Sequence, residues 1–554
     1  MTDEEPRKLQ ARRGLSLSFK GKTLLSRIDP IAQAEKIVNS APLRKKALYF
    51  CPSPLYGYGL GLLLSRIPED SDILCVECDE KLMKLSSESL APLLSSPRIR
   101  LVRSTDPASV CAYVRKWWGA RRFRRLEVLR LNSGWSLAEQ SYDAIADALS
   151  ADIAMDWSNA ITLIKLGRLY ALNAIRNLAL LPLAEDIRCM NVGTRPILVV
   201  GAGPSMDATL DAIGAIQGAA QNIQSFPFKI FCVDTALRAL LDRNIKPDLV
   251  IALETQQWNL NDFIGVSSAV IPVAMDLSSL PATAQAGGGS FSFFFTPWAP
   301  LQFLDRLEEE RLVPQAYTPL GSVGLSTVAL ALRSTSGPVY ITGLDFSYTP
   351  DAYHARSTPS RLDRLRSCTR LQPLIDPSPA FRPRVVREKG KEGFWVWTDP
   401  ALKSYRDLFK REFEKSGRVF DIGCQGLELG IQRWPVERLW DTYEDTRAQE
   451  PAIPAPREQH WGFDQVLRFL QAEQKRLSFL RDSLSGKLEL DEARVEKLID
   501  ECDYLWAHFP ECAGAEGQRP ILSDSSFLKR IRAEIEPFSK ALKRAEEELS
   551  RRSS

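Results

Sequence analysis

Histidine is scarce in this chain: its 554 residues include three, His354, His460 and His508. That is too few for a metalloenzyme built on imidazole ligands. Cysteines at ligand spacing are equally rare, since only Cys75 and Cys78 in "DILCVECDE" form such a pair among ten. A zinc site would need a second pair or two histidines, so this segment reads as a core strand and no metal ligand is assigned. The thin spread of thiols, in apolar contexts such as "KIFCVD", suits reduced cysteines and a cytoplasmic protein. No run approaches the ~18 apolar residues of a membrane span, and "MTDEEPRK" lacks the apolar stretch of a secretory signal. A dominant charge is missing too. With 72 basic and 69 acidic residues the net charge is +3, so no global field recruits nucleic acid or a lipid surface.

What is present is an ordinary soluble-protein balance, 44% hydrophobic and 25% charged residues, in a chain too long for one core. Two to four domains are expected. Residues 1–25 are polar and basic and read as a loose arm. Residues 26–140 follow with strand, glycine-rich turn, helix and strand in "KKALYFCPSPLYGYGLGLLLSRIPEDSDILCVECDEKL". That is the order of a Rossmann-like unit, with Glu77 at the end of the second strand where a ribose could bind. Gly57, Gly59 and Gly61 alternate and miss the dinucleotide spacing, which favours such a unit without a ligand. Within it, "AYVRKWWGARRFRRLEVLR" interleaves basic and aromatic residues as single-strand nucleic-acid grooves do. No nucleic-acid module surrounds the stretch, so it reads as a solvated helix face.

Residues 141–190 repeat apolar positions at helical spacing and form a helical connector. From 191 to 440 short apolar strands alternate with helices, which argues for a mostly parallel sheet covered on both faces. Pro272 inside "VIPVAM" predicts an edge strand there. A proline-rich, charged linker occupies 441–461, and three apolar-periodic segments make 462–554 a helical terminal domain. The fold class is α/β: a Rossmann-like N-terminal domain, a central parallel domain and a helical C-terminal domain.

Candidate chemistry gathers at turns and strand ends. In "ILVVGAGPSMDATL", Gly201 and Gly203 allow a sharp turn and close ligand approach, while Ser205 or Asp207 can cap the next helix. The helix start suits a phosphate, although Pro204 removes one donor; the stretch alone is equally a structural corner. The strands "CVDTAL" and "DLVIALETQQWN" should bring Asp234, Thr235, Glu254 and Thr255 to the carboxyl edge, where open α/β sheets bind ligands. Two further clusters are "TPLGSVGLSTVALAL", a Gly-Ser turn entering a helix, and "VYITGLDFSYTPDAYHARST", with Gly343, Asp345 and His354 beyond a strand end.

"GAGPSMD", "DTALRALLDRNIKPDLV", "GSVGLSTVALAL", "ITGLDFSYTPDAYHA" and "WTDPALKSYRDLFKREF" together resemble the Maf family of motility-associated flagellin glycosyltransferases. The central domain of that family is grouped with 6-hydroxymethylpterin diphosphokinase MptE-like proteins. The resemblance spans roughly 195–433 and implies a sialyltransferase-like central domain. It implies transfer of a nonulosonic acid of the pseudaminic or legionaminic type from its CMP-activated donor to Ser or Thr of flagellin, in support of motility. Carried onto this chain, Gly201, Gly203, Pro204 and Ser205 would form the nucleotide turn, with Asp234, Thr235 and Glu254 at neighbouring strand ends. Asp248 and Gly343 would belong to further strand-end blocks, and Gly321 and Ser322 to a second turn. Asp345 and His354 would lie nearest the sugar, one of them accepting the acceptor's proton. No cofactor is assigned beyond the donor, and dependence on a divalent metal stays open. "VFDIGCQGLELG" departs from the family's more polar segment, and Glu254 stands where the family usually has Asp. An ATP-dependent diphosphokinase and a non-catalytic flagellin-binding protein are the alternatives.

Overall fold

The computed structural model describes residues 5–119, 121–219, 226–350, 352–374, 384–441, 461–488, 491–513 and 524–553. The proline-rich linker expected at 441–461 falls almost wholly outside them. The chain divides into two compact units, Met1–Lys165 with Ala507–Asp524, and Leu166–Trp506 with Ser525–Ser554.

In the first unit the expected loose arm is instead an antiparallel three-stranded sheet, β1 (Arg7–Gln10), β2 (Leu15–Phe19) and β3 (Lys22–Thr23). Its reason is the alternation in "LSLSF". Leu17 and Phe19 bury their side chains with Leu24, Leu25, Leu55 and Leu82, so a polar segment gains an apolar face. The Rossmann-like part is a parallel sheet of β4 (Ala47–Pro52), β5 (Asp72–Glu77), β6 (Ile99–Arg103) and β7 (Arg125–Val128), in the order β6-β5-β4-β7. Strands β4 and β5 are buried throughout. Helices α1 (Pro30–Ser40), α2 (Leu60–Arg66), α3 (Glu80–Leu90) and α4 (Pro107–Trp118) accompany them. The carboxylates of Asp29, Asp79 and Asp106 accept first-turn N–H groups of α1, α3 and α4. Glu77 is buried at the end of β5. Its carboxylate accepts the hydroxyls of Ser53 (2.8 Å) and Tyr142 (3.0 Å) and the N–H of Asp79 (3.1 Å). Glu77 therefore holds its own strand ends together, in line with a unit read as carrying no ligand. The helical periodicity read over 141–190 appears as helix α5 (Glu139–Leu178), followed by 3-10 turns at Leu181–Leu183 and Ile187–Met190.

The second unit is built on nine parallel strands: β8 (Glu185–Asp186), β9 (Ile197–Val200), β10 (Lys229–Val233), β11 (Leu249–Ala252), β12 (Ile271–Asp276), β13 (Gly288–Phe294), β14 (Val339–Thr342), β17 (Val419–Asp421) and β18 (Gln432–Arg433). A separate hairpin pairs β15 (Val386–Lys389) with β16 (Trp395–Thr398). The sheet order is β18-β17-β14-β9-β10-β11-β12-β13-β8. Strands β9, β11 and β14 are buried at every position, as a sheet covered on both faces requires. Pro272 does not mark an edge, because β12 lies between β11 and β13. Its missing N–H falls at a register shift between Ile271 and Val273, and such an irregularity is where an interior strand tolerates proline.

The strands alternate with α6 (Ser205–Ala219), α7 (Asp234–Leu241), α8 (Thr283–Ala286), α9 (Gln302–Glu309), α10 (Val323–Ser334), α11 (Pro359–Arg366), α12 (Pro400–Phe413) and α13 (Arg438–Asp441). C-terminal helices α14 (Phe463–Leu484), α15 (Glu492–Glu501) and α16 (Ser525–Ser553) complete the unit. Phe469 and Glu473 of α14 meet Phe303 and Arg306 of α9, the charged pair buried at 2.8 Å, and Tyr504, just beyond α15, packs its ring on Phe303. The architecture is thus α/β with a large parallel sheet and a helical C-terminal region. The chain order runs outward from β9 to β13 and resumes at β14 on the other side, so the topological switch lies between β9 and β14.

Candidate functional site

Two corners at the carboxyl edge of the large sheet were expected to hold ligand. They differ in what their hydrogen-bond donors already do. At the first corner, between β9 and α6, the N–H of Gly201 donates to the Thr342 carbonyl and that of Gly203 to the Gly343 carbonyl, both at 2.8 Å. The Ser205 N–H donates to one Asp345 carboxylate oxygen (2.8 Å) and its hydroxyl to the other (2.5 Å). Pro204 has no N–H to offer. A Cβ on Gly201 would come within 2.4 Å of the Gly343 oxygen, and one on Gly343 within 2.2 Å of the Gly201 oxygen. The crevice at the topological switch is therefore closed by backbone packed on backbone. Phosphate would have to displace bonds the chain makes to itself.

In this geometry Asp345 is engaged at the turn. It is buried at 4% exposure and holds the first turn of α6 as a capping acceptor. Burial pushes its pKa up to about 6, with the Lys391 ammonium pulling the other way. Lys391 is itself buried and pairs with Asp421 at 2.7 Å. His354 lies on a loop fastened over the same turn. The Ala355 N–H donates to the Ala202 carbonyl at 2.9 Å and the Arg356 N–H to Asp207. Its imidazole Nδ1 is 3.1 Å from the Ser360 hydroxyl, and burial lowers its pKa, which keeps the ring neutral at pH 7. Asp248 precedes β11 at the amino edge. There it accepts the Ile230 N–H and pairs with Lys229, far along the strand direction from the other expected residues.

The second locus gathers the ends of β10, β11 and β12. Asp234 opens α7 and is buried. The Thr235 hydroxyl lies between two acids, 3.2 Å from Asp262 and 3.3 Å from Asp234. Burial, then the neighbouring Asp262 charge, raises the Asp234 pKa to about 7; burial raises Asp262 to about 6. Glu254, at the end of β11, accepts the N–H groups of Thr255 and Gln256 and is within electrostatic reach of Asp234. Tyr170 of α5 lies close to Glu254, Asp276 and Tyr405, and burial followed by the two acids pushes its hydroxyl up to about 12. Asp276, closing β12, accepts from Ser278 and Thr296. Among the described residues no group of three or more His, Cys, Asp or Glu is arranged to hold a metal ion.

Above Tyr405 sits the second corner. Gly321 has φ +64°, a left-handed backbone suited to glycine, and its Cβ position would lie 3.6 Å from the Tyr405 ring. Ser322 stands at the N-cap of α10 but makes no capping bond, so the first-turn N–H groups have no side-chain acceptor. The Ser326 hydroxyl, one turn in, is buried without a partner. The Thr255 hydroxyl and the Asn259 amide nitrogen are likewise buried and unpartnered. Of the expected residues, the fold thus groups Asp234, Thr235, Glu254, Gly321 and Ser322 along one edge. It assigns Gly201, Gly203, Ser205, Gly343 and Asp345 to a sealed corner.

Asp262, Asp276, Tyr170, Tyr405 and Ser326 were not anticipated. Asp276 follows the same strand-end rule that singled out Asp234 and could have been found by it. Asp262 lies in a 3-10 segment, Gln257–Phe263, without periodicity to place it.

Residues 171–351 match the family described as 6-hydroxymethylpterin diphosphokinase MptE-like, a span that contains every strand from β8 to β14. An uncharacterized protein of Treponema pallidum (strain Nichols) is 29% identical over 574 residues, covering 97% of this chain and 95% of its own. The solved structure of the Maf glycosyltransferase from Magnetospirillum magneticum AMB-1 superposes with a TM-score of 0.51 at 14% identity, over 99% of this chain and 93% of that one. The resemblance found in the motifs therefore extends to the central-domain match and to the fold. No helix among the described residues is long and apolar enough to cross a membrane.

Proposed function

We propose that this protein is a glycosyltransferase that draws a nonulosonic acid from its CMP-activated donor and transfers it to Ser or Thr of flagellin. The reading rests on the likeness to Maf and MptE-like proteins, and one observation carries the chemistry: the uncapped start of α10 shares an edge with the Asp234–Thr235–Asp262 group. The free N–H groups there and the positive end of the helix suit the donor phosphate, and the hydroxyls of Ser322 and Ser326 supply further donors. Two neighbouring carboxylates with pKa values near 7 and 6 keep one member able to accept a proton at neutral pH. In this reading the acceptor hydroxyl loses its proton to that pair as its oxygen attacks the anomeric carbon. The bond from that carbon to the phosphate oxygen breaks, and CMP leaves with the electron pair. Tyr170 and Tyr405, kept neutral by burial, stand beside this edge as hydroxyls that orient sugar or phosphate. Neither His354 nor Asp345 is needed for the proton.

The test is transfer from CMP-pseudaminic or CMP-legionaminic acid to purified flagellin, read as intact mass, with and without chelator. Asp262→Asn and Asp234→Asn should each lower the rate by about 10²–10⁴, while His354→Ala should leave it within a few-fold. Transfer abolished by His354→Ala and retained in the aspartate variants would return the base to the histidine loop. Failure to bind CMP by calorimetry, together with magnesium-dependent ATP binding, would replace this reading with the diphosphokinase one that the family description suggests.

A further inference from the structure

Beside the sealed corner a cavity of about 400 Å³ opens between α6 and the ends of β17 and β18. Thr209, Glu392, Ile422, Cys424, Arg433 and Trp434 are among its lining residues. None of them belongs to the edge assigned to the donor. The volume is that of a small-molecule site.

The donor that the wall offers is Arg433. Arg433 uses one guanidinium nitrogen on Glu392 at 2.9 Å, and Arg has five N–H donors. The Trp434 ring is held in place by stacking on Phe420 at 4.2 Å and by Arg438 at 4.9 Å, and its indole nitrogen is buried out of reach of the cavity. The Cys424 thiol is half-buried, free, and kept protonated by burial. Thr209 is already satisfied, by the Ser205 carbonyl and the Thr342 hydroxyl. The acceptor on the rim, Glu392, is half exposed to water and paired with Arg433.

Glu392 also adopts φ +57°, ψ +15°, a left-handed conformation that is strained for a residue with a side chain. The turn drives Lys391 inward to Asp421 and leaves Glu392 at the cavity mouth holding Arg433. Strain of this kind persists where the surroundings impose it, and such positions cluster at ligand sites.

We propose that this cavity is a second small-molecule site and takes an organic carboxylate, its oxygens bound by Arg433 and its body seated against Ile422 and the Trp434 wall. A guanidinium paired with a neighbouring acid presents its remaining N–H groups for a carboxylate.

The full-length protein is titrated by calorimetry with pyruvate and phenylacetate, and with phenylacetamide as the uncharged control. At least one acid should bind, phenylacetamide should bind at least about tenfold more weakly, and Arg433→Gln should weaken the acid by a similar factor. In the unaltered protein the bound acid should slow labelling of Cys424 by N-ethylmaleimide, read on the tryptic peptide, which localises the site without any variant. Saturating CMP should leave that protection intact. Equal affinity for acid and amide, no binding of either acid, unprotected Cys424, or competition with CMP would each overturn the assignment. Because the test needs neither transfer nor flagellin, its failure leaves the proposed glycosyltransferase reading standing, and the converse holds as well.

Discussion

Asp234 is an acid that folding has made uncomfortable. Its pKa of about 7 in the fold, against an ordinary value near 3.9, means that between those limits the folded chain keeps a proton the unfolded chain has released. Stability from this group is therefore lost as pH rises through that window. Asp234→Asn removes the burden while matching the shape. The melting temperature of the variant relative to the unaltered protein should rise from pH 5 to pH 8, measured by scanning calorimetry; a flat difference would refute the burial argument. Gly343 is constrained for a different reason, its φ of +71° and the Gly201 oxygen 2.2 Å from any Cβ. Gly343→Ala should destabilise by at least about 1–3 kcal/mol in urea titration. These demands were only half legible in the sequence. Gly-Ala-Gly-Pro-Ser announced a tight turn, but nothing local revealed that the turn would close on the loop after a strand 139 positions further on, where β14 begins at Val339 and β9 ends at Val200.

Helix starts decide where an anion can sit. Helices α6 and α10 both begin after a glycine-bearing turn and both look like phosphate cradles in one dimension. Helix α6 receives a carboxylate from Asp345, whereas α10 receives no capping side chain. A Ser322→Asp variant separates the two roles available to α10. A carboxylate at the N-cap should hold or raise the melting temperature, by the favourable charge at the helix N-terminus. It should also weaken CMP binding by about tenfold or more, because the new charge occupies the anion's place. Unchanged CMP affinity would remove α10 from the donor site. The acids at the ends of β10 and β11 were readable because a parallel strand followed by a helix exposes its carboxyl end, and that rule depends on chain order alone. Asp262 was not readable, since it reaches Thr235 from an irregular segment whose path only packing fixes.

At the scale of the whole molecule, the two parallel sheets have separate cores, with Phe50 and Leu74 packed on one face of the first and Val199, Phe231 and Ile251 in the second. Phe50 is fully buried, so Phe50→Ala should cost about 3–5 kcal/mol. Hydrogen exchange should show protection lost in β4–β7 while β9–β14 remain protected and CMP binding persists at moderate temperature. Loss of protection in both sheets together would show that the two units unfold as one. The N-terminal segment shows how far composition can mislead: basic and polar overall, it still folds because alternate positions in β2 are apolar. By itself the sequence determined the class of the fold, since β-branched runs alternating with helices can bury their apolar faces only in a covered parallel sheet. It also determined which residues stand at strand ends. Only the tertiary structure decided which of those polar groups are already satisfied, Asp345 by Ser205 and Glu77 by Ser53 and Tyr142, and which are left poised, as Asp234 and Ser322 are. Hydrogen-bond partners distant in sequence are chosen by packing, and periodicity carries no record of them.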